Sequence, residues 1–594
     1  MAFDSLVMAA VAQELADLLI GGRLEKIQQP SAHEIIMVIH TRERGKQRLL
    51  LSAHAQDARI HLTSQAFVNP LNPPIFCMVL RKHLEGGRVR ALEQVGLERI
   101  LKIAIDSRDE LGRPAEKLLL CEIMGKHSNI LLVDPANNTI VDGIHRYSHA
   151  VSRYREVLPN RPYLPPPSQG KVDPRELSEE DFKSLLLASN WDSSVANALL
   201  QKIAGLGPQI CRELVVRAGL PIDYAVEHCG DYEMTKLWEQ LQWICAMLKE
   251  GNFEPTLLLD RRGLPVDFAA VNLSHLRANR RETAGISEIL DQYYRKITQV
   301  RLLENEQHSL LQIVRKEISR LKKKCDLHRQ SLASAEKAEK YRIYGELLTA
   351  NLYRIEQGPE AVVENFYHPT GEKITIPMDA NLTPSQNAQA FFKKYLKAKN
   401  TREAVINHLA QAEAELGYLE AVETAVLQAQ DMEALAEIRS ELEEQAYLKP
   451  RSQQGKGKAK KEQVRPQPLS FISSNGLSIL VGKNNKQNDY LTLRLAADDD
   501  IWLHTKDIPG SHVIIRRGQN QDIPEQTLLE AASLAAWFSK ARHAGKVPVD
   551  YTQRRHVRKP RGAKPGMVIY DHQQTLMVVP SEELVEQLMD NTTT

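Results

Sequence analysis

A chain of 594 residues with 77 basic and 75 acidic side chains carries a net charge of only +2, so a polyanionic partner must be held by local patches and not by the field of the whole molecule. The length calls for roughly three to four domains. The six cysteines, Cys77, Cys121, Cys211, Cys229, Cys245 and Cys325, never come close enough in sequence for a zinc knuckle or a Cys-x-x-Cys redox pair, a usage that fits a reducing cytoplasm.

Phe3 to Ile20 shows helical spacing and stops at Gly21-Gly22, a helix-terminating pair. Asp4, Glu14 and Asp17 interrupt it, which excludes a signal peptide, and no apolar run reaches membrane length. The expectation is a soluble, cytoplasmic protein with no membrane partner. Strand-like runs follow at Glu34–His40, Arg48–Ser52, Ala58–Thr63, Ile100–Asp106, Leu118–Ile123 and Asn129–Asp134, which predict a sandwich or partly closed barrel. A proline-rich stretch, Pro159–Pro167, closes this unit, set at residues 1–174.

Residues 175–280 read as a helical segment. Within it Ile203-Ala204-Gly205-Leu206-Gly207-Pro208 is a tight turn that feeds proline into the first position of the next helix. The pattern is that of a helix-hairpin-helix, whose second helix start can hold a phosphate; an ordinary αα-hairpin accounts for the same residues.

In residues 281–448, Leu310, Val314, Ile318, Leu321, Cys325 and Leu332 form a heptad seam. A second seam runs from Thr383-Pro384 through Val405, Leu409, Leu416, Leu419, Val426, Leu435, Ile438 and Leu442. A small strand-bearing insert, at about 352–380, lies between them. These seams predict an antiparallel coiled-coil arm about 75 Å long. Residues 449–468 form a basic Lys/Gln/Gly/Pro linker that buries nothing and can grip phosphates loosely.

The last unit, 469–594, is expected to be a compact α+β module with strands Leu477–Val481, Tyr490–Leu495, His512–Ile515, Met567–Asp571 and Thr575–Val579 and a helix Pro524–Ala544. Its run from Asp498 to Ile515 crowds Trp502, His504, Lys506 and His512 around a Pro509-Gly510 turn. Aromatic and polar groups on a rigid turn suit an unstacked base or a polyanion. Arg554, Arg555, Arg558, Lys559, Arg561 and Lys564 follow closely, and such neighbours repel one another until a counter-charge arrives. The fold class expected overall is α+β multidomain.

Several segments in order resemble the NFACT family over nearly the whole chain. They include Phe3-Asp4, Gly21-Gly22-Arg23, His61-Leu62-Thr63, Asn72–Leu84, Glu122–Asn129, Tyr154-Arg155, Arg161-Pro162-Tyr163, Trp502–His512, Tyr551-Thr552-Gln553 and Lys564-Pro565-Gly566. The resemblance implies a glycosylase-like N-terminal domain, a helix-hairpin-helix segment, a coiled-coil arm with a middle tip, and a C-terminal RNA-binding module. It implies a ribosome-associated quality control factor that binds rRNA in the large ribosomal subunit obstructed with peptidyl-tRNA and recruits charged tRNA(Ala). Untemplated alanine is then added to the stalled chain, marking it for degradation, and a small accessory RNA-binding protein is left open as a further partner.

The family's tRNA-contacting Asp-Arg matches Glu98-Arg99 here. Arginine offers a planar fork to phosphate or a base edge, and glutamate keeps the acid's charge with one more methylene. The segment carrying Glu122, Ile123, Met124, Lys126 and His127 matches a second tRNA-holding stretch. In the last module Trp502, His504, Lys506, His512, Arg554, Arg555, Arg558 and Lys559 are the expected RNA contacts. No phosphate-binding loop, zinc spacing or catalytic triad is present in the sequence, so no cofactor, metal or catalytic residue of its own is expected. Positioning is then the protein's contribution to chemistry done by the ribosome. A DNA glycosylase, the enzyme alternative, needs a secondary amine at its start, whereas this chain has Met1-Ala2-Phe3-Asp4. A fibronectin-binding adhesin needs a surface signal, and none is legible.

Overall fold

Asp4 starts the fold by accepting the Val7 N–H at 3.0 Å, an N-cap that opens α1 (Ser5–Leu19). Leu6, Val7, Met8, Val11, Leu15 and Leu19 are all buried, the pattern of an interior helix. The computed structural model describes residues 3–108, 111–150, 152–167, 169–336, 338–369, 371–450, 467–518 and 522–593. They form two compact units, Met1–Val300 and Arg301–Thr594.

In the first unit, β1 (Arg23–Ser31), β2 (Glu34–Thr41), β3 (Gly45–Ser52), β4 (Arg59–Leu62), β5 (Arg88–Gln94), β6 (Ile100–Arg108), β7 (Pro114–Glu122), β8 (Asn129–Asp134) and β9 (Thr139–Gly143) make one sheet, in the order β4-β3-β2-β1-β5-β6-β7-β8-β9. Every pairing is antiparallel, and β1 meets β5 only at Arg23–Arg88. The α2 helix (Ile75–Leu84) bridges the halves, its Arg81 Nε donating to Ile27 O at 2.9 Å.

Helices α3 (Glu179–Leu187), α4 (Val195–Lys202), α5 (Pro208–Arg217) and α6 (Asp231–Glu250) follow. The helical reading of 175–280 needs correction at its end. There β10 (Thr256–Leu259), β11 (Pro265–Ala269) and β12 (Arg280–Thr283) form a small antiparallel sheet ordered β11-β10-β12. Leu257, Leu258, Leu259 and Phe268 bury into the same core as α1. Helix α7 (Ile286–Glu336) begins in this unit. Its Asp291 accepts the Thr63 hydroxyl at 2.6 Å and the Ser64 hydroxyl at 3.1 Å.

In the second unit, α7 continues, followed by α8 (Glu339–Ala350), β13 (Glu360–Glu364), β14 (Lys373–Pro377), α9 (Pro384–Gln428) and α10 (Met432–Glu444). Thr383 and Gln386 cap α9 reciprocally. Leu310, Val314, Ile318 and Leu321 of α7 pack on Tyr418, Leu419, Val422 and Val426 of α9. Ion pairs Arg315–Glu423 (2.7 Å), Lys322–Glu420 (3.2 Å) and Arg329–Glu413 (2.7 Å) fix the two helices antiparallel. The second seam is not one helix. It breaks after Gln428 and restarts where Asp431 caps Ala434 N at 2.7 Å. Gln307 supports the break by donating to the carbonyls of Val426 (3.2 Å) and Ala429 (2.8 Å).

The remaining elements are β15 (Leu469–Ile472), β16 (Ser478–Val481), α11 (Asn485–Tyr490), β17 (Ile501–Thr505), β18 (Val513–Ile515), α12 (Glu525–Trp537), β19 (Val547–Gln553), β20 (Val557–Arg558), β21 (Ile569–Tyr570), β22 (Gln574–Val578) and α13 (Glu582–Thr593). The main sheet is ordered β15-β16-β18-β17-β19-β22, and β20 pairs with β21. Residues 490–495, expected as a strand, are the end of α11 and a π turn, Leu491–Leu495. Helix α12 stops well before Ala544 because Phe538 and Ser539 turn back on the 509–511 turn. Ser511 N–H donates to Phe538 O at 3.0 Å and Lys540 N–H to Pro509 O at 2.9 Å. Most of the basic linker, 451–466, lies outside the described residues. Among the described residues no helix is long and apolar enough to cross a membrane.

Candidate nucleic-acid interface

The loop between β5 and β6 presents the first expected pair. Gly96, at φ 57°, turns the chain. Leu97 then points inward, Glu98 is exposed and Arg99 is half-buried. Ser5 Oγ donates to Leu97 O at 2.5 Å, while Gln94 Nε2 donates to Ser5 Oγ and to Glu98 O, each at 2.8 Å. The α4–α5 turn closes over this loop. A Cβ at Gly207 would lie 2.5 Å from an Asp4 carboxylate oxygen, and one at Gly205 would lie 3.1 Å from Leu97. Only glycine permits that approach. The result is a cavity of about 290 Å³ lined by Asp4, Glu98, Arg99, Lys171, Gly205 and Pro208. Burial pushes the Asp4 carboxyl up to about 6, against the pull of its N-cap hydrogen bonds and of Arg99. Burial also lowers the Arg99 guanidinium from its ordinary value, with Asp4 and Glu98 opposing.

The second expected segment lies on the neighbouring strand. Ile123 N–H donates to Arg99 O at 2.9 Å, so strand pairing joins two stretches that are far apart in sequence. The roles within it need correction. Glu122 is fully buried, with Arg155 gripping both of its carboxylate oxygens, one of them at 2.8 Å. Tyr163 O–H donates to it at 3.0 Å, and Arg155 also donates to Leu164 O at 2.8 Å. Ile123 is buried too. Neither side chain can touch a partner, because both anchor the end of β7. Met124 is half-buried, and the turn Gly125–His127 carries Lys126 and His127 into solvent.

In the last module, alternation along β17 sends Leu503 toward α12 and Trp502 to the opposite face. There the 0%-exposed Trp502 ring packs beside His504 (5.8 Å between ring centres), His512 (5.3 Å) and Tyr570 (4.8 Å). The expected base-stacking face of Trp502 is therefore already covered. His512 is likewise buried, its Nδ1 2.7 Å from the Thr492 hydroxyl. Burial lowers His504 to about 4, against the Gly510 and Thr505 backbone, and pushes His512 well below the usual imidazole range, with His504 adding to the effect. His504 is half-buried and Lys506 exposed.

The basic run differs from the crowd of unbalanced cations expected, because its counter-charges are built in. Arg554 pairs with Asp498 at 2.8 Å, Arg555 with Asp499, Arg558 with Asp571 at 2.6 Å, and Lys559 with Asp489. Arg554 is a strut as well. Its Nε donates to Thr492 O at 2.8 Å and its Nη2 to Leu493 O at 3.3 Å, two carbonyls of the π turn. Arg555 and Arg558 keep about half or more of their side chains in solvent and can exchange an aspartate for a phosphate.

A family model of NFACT N-terminal and middle domains matches residues 4–462, and one of the NFACT protein RNA binding domain matches residues 467–571. The chain belongs to the NFACT family. Its similarity to the Bacillus subtilis "Rqc2 homolog RqcH" is 42% identity over 99% of this chain and 100% of that one. A Streptococcus suis protein of the same name is 36% identical over the same shares. Among solved structures, the N-terminal part of the Streptococcus suis fibronectin/fibrinogen-binding protein is 30% identical, covering 49% of this chain and 99% of that one with a TM-score of 0.41.

Several functional-looking residues of this NFACT chain escaped sequence reasoning. Asp4, Lys171, Arg155 and Tyr163 in the first unit, and Tyr570 and Asp550 in the second, join their sites only through tertiary contacts. Of these Asp4, Arg155 and Tyr163 carried a signal, in the family segments Phe3-Asp4, Tyr154-Arg155 and Arg161-Pro162-Tyr163. Among the described residues one group has metal-ligand character: His556, Asp571 and His572, whose ligating atoms lie within 4.8 Å of one another. Asp571 already serves Arg558 there.

Proposed function

We propose that this protein is a ribosome-associated quality control factor that binds the large ribosomal subunit obstructed by peptidyl-tRNA, recruits charged tRNA(Ala) and directs untemplated alanine addition to the stalled chain. The observation that carries this reading is the end-to-end 42% identity to a curated RqcH protein. A separate RNA-binding domain match at 467–571 supports it.

In this reading Arg99 is the principal tRNA contact, with Glu98 orienting it or accepting from a base amine, and Lys126 and His127 adding charge from the next turn. The bidentate fork of Arg99 suits phosphate. The Asp4 and Glu98 carboxyls both act on the Arg99 guanidinium and oppose the lowering that burial imposes on it. The exposed face bearing Lys506, Arg555 and Arg558 meets RNA from the second unit, with Arg554 and Lys559 behind it. The antiparallel helices α7 and α9 serve as the coiled-coil arm. The α4–α5 turn plays the helix-hairpin-helix part beside Arg99. The protein positions aminoacyl-tRNA and leaves bond formation to the ribosome, where orientation alone supplies a large share of the rate.

The test is affinity purification of tagged protein from cells, with sequencing of the associated RNA. Alanine-accepting tRNA enriched together with large-subunit rRNA is expected. A mixture mirroring total cellular RNA would overturn the reading.

A further inference from the structure

Two motifs separated by some fifty residues in sequence, the Trp502–His512 block and Lys564-Pro565-Gly566, converge on one cavity that the basic face does not account for. Its volume is about 290 Å³, and its lining includes His504, Pro509, His512, Pro565, Met567 and Tyr570 with Trp502. We infer that this cavity takes a single unstacked nucleobase from the RNA partner. The inference rests on the RNA-binding reading above and adds to it what that RNA inserts.

Size comes first. The volume sits at the lower end of ligand cavities, which run from about 300 to 1,000 Å³, too small for a folded motif but adequate for one heterocycle. The walls come next. His504 and Tyr570 are half-buried at the cavity surface, with Trp502 closed behind them. The rings of His504 and Trp502 are nearly parallel, 17° apart, so a planar guest laid on His504 continues a stack already begun. Tyr570 is held in place by its hydroxyl, which donates to Asp550 at 2.9 Å.

The polar groups suit an uncharged partner. Both imidazoles are kept neutral by burial, so they add no positive charge to the cavity wall. The Trp502 indole N–H is buried with no hydrogen-bond partner among the described residues, an unusual cost for a core group that a nearby acceptor on a guest would relieve. The two Pro-Gly turns form the lips. At Gly566, with φ 77°, a Cβ would lie 2.6 Å from the Asn485 side chain, so this lip is set where it is by the lack of a side chain. Lys506, exposed one turn away, and Lys564, 4.5 Å from the Tyr447 ring centre, supply charge for the adjoining phosphates without entering the cavity. Stacking with flanking cations is how single strands are held without sequence selection.

The experiment uses the full chain and a short single-stranded RNA containing one 2-aminopurine, followed by ultraviolet crosslinking and peptide mass mapping. We expect the 2-aminopurine fluorescence to be quenched on binding and crosslinked nucleotide to fall in peptides containing His504 or Tyr570. Tyr570→Ala is expected to weaken binding about tenfold. Gly417→Trp, at an exposed position of α9 that lines the cavity and where a Cβ meets nothing within 4 Å, is expected to remove the His504 and Tyr570 crosslinks while its melting temperature stays close to that of the parent. RNA that binds but crosslinks only at Arg555, Arg558 or the first unit overturns the inference and leaves the RNA-binding reading standing. A nascent-chain peptide crosslinking in the cavity in place of RNA overturns it as well. No binding of this RNA, of tRNA or of the large subunit overturns both.

Discussion

Burial disfavours the charged form of both Asp4 in the first unit and His504 in the second, and the two titrations move in opposite directions. Asp4 titrates at about 6, above the ordinary carboxyl, and His504 at about 4, below the ordinary imidazole. The first site thus sets an acid that protonates more readily than usual beside Arg99. The second keeps two neutral imidazoles beside aromatic and apolar walls, with Asp507 as the one acidic group among the described residues of the lining. Ion pairs divide the same way. The first unit buries its bidentate pair, Glu122–Arg155, whereas the second spreads Arg554, Arg555, Arg558 and Lys559 with their aspartates around an accessible face. On the readings proposed above, the first site meets phosphate and the second a ring.

The comparison can be broken most forcefully at Arg155. Arg155→Ala strands the Glu122 carboxylate in the interior, and loss of one partner of a buried pair costs about 3–5 kcal/mol. Urea unfolding of the first unit should show that loss. An effect under about 1 kcal/mol would mean the pair is solvated and no different from those of the second unit. Next in size, Arg99→Ala is expected to reduce recovered tRNA at least tenfold with large-subunit binding nearly unchanged. If subunit binding falls equally, Arg99 is structural.

The pH dependence sharpens the contrast. A carboxyl raised in the folded state stabilises most below its unfolded pKa and loses that contribution as pH rises through the folded value. Asp4 should therefore weaken the first unit's stability between about pH 4 and 6, an effect that Asp4→Asn removes while keeping a cap. An imidazole lowered in the folded state does the reverse: its contribution is complete above about pH 6.5 and is lost as pH falls toward 4. His504 and His512 should make the second unit acid-labile over that range. His61, lowered to about 4 by burial and by Arg59, adds a term of the histidine kind to the first unit, so Asp4 is best followed by the difference between parent and Asp4→Asn. Hydrogen exchange resolved by unit reads both trends. Parallel trends in parent and variant would dismiss the Asp4 assignment.

The smallest effect is expected at the rim. Replacing Asp498 and Asp499 together by Asn frees Arg555, while Arg554 stays bonded to the π-turn carbonyls. RNA affinity at low salt should rise a few-fold, and the salt dependence should steepen by about one phosphate contact. Stability should change by under about 1 kcal/mol, as for exposed pairs. Unchanged RNA affinity would show that Arg555 does not face RNA.

Sequence periodicity was a good guide wherever one face of an element is buried. It located α1, β2, β3, β6, β7, β8 and the α7–α9 seam. It failed where a short segment is decided by its neighbours. Leu491, Leu493 and Leu495 alternate as a strand would, yet the chain there makes a π turn whose carbonyls are taken by Arg554, more than fifty residues away. The charged, proline-containing β1 and the short β10 carried too little pattern to be read. Site residues followed the same rule. Glu98-Arg99 was visible through family resemblance, but the enclosure by Asp4 and Gly207 was not. The basic run was obvious, and its partners Asp489, Asp498, Asp499 and Asp571 were not, because ion pairing has no periodicity.

The fit of Gly207 against Asp4 also bears on how the chain acquires its shape during synthesis. Asp4 caps the helix around which the first unit is organised, but its final seat exists only once a turn about two hundred residues later has emerged, a contact of high sequence separation and correspondingly late formation. The Asp4 side chain must therefore wait for its enclosure while most of its unit is translated.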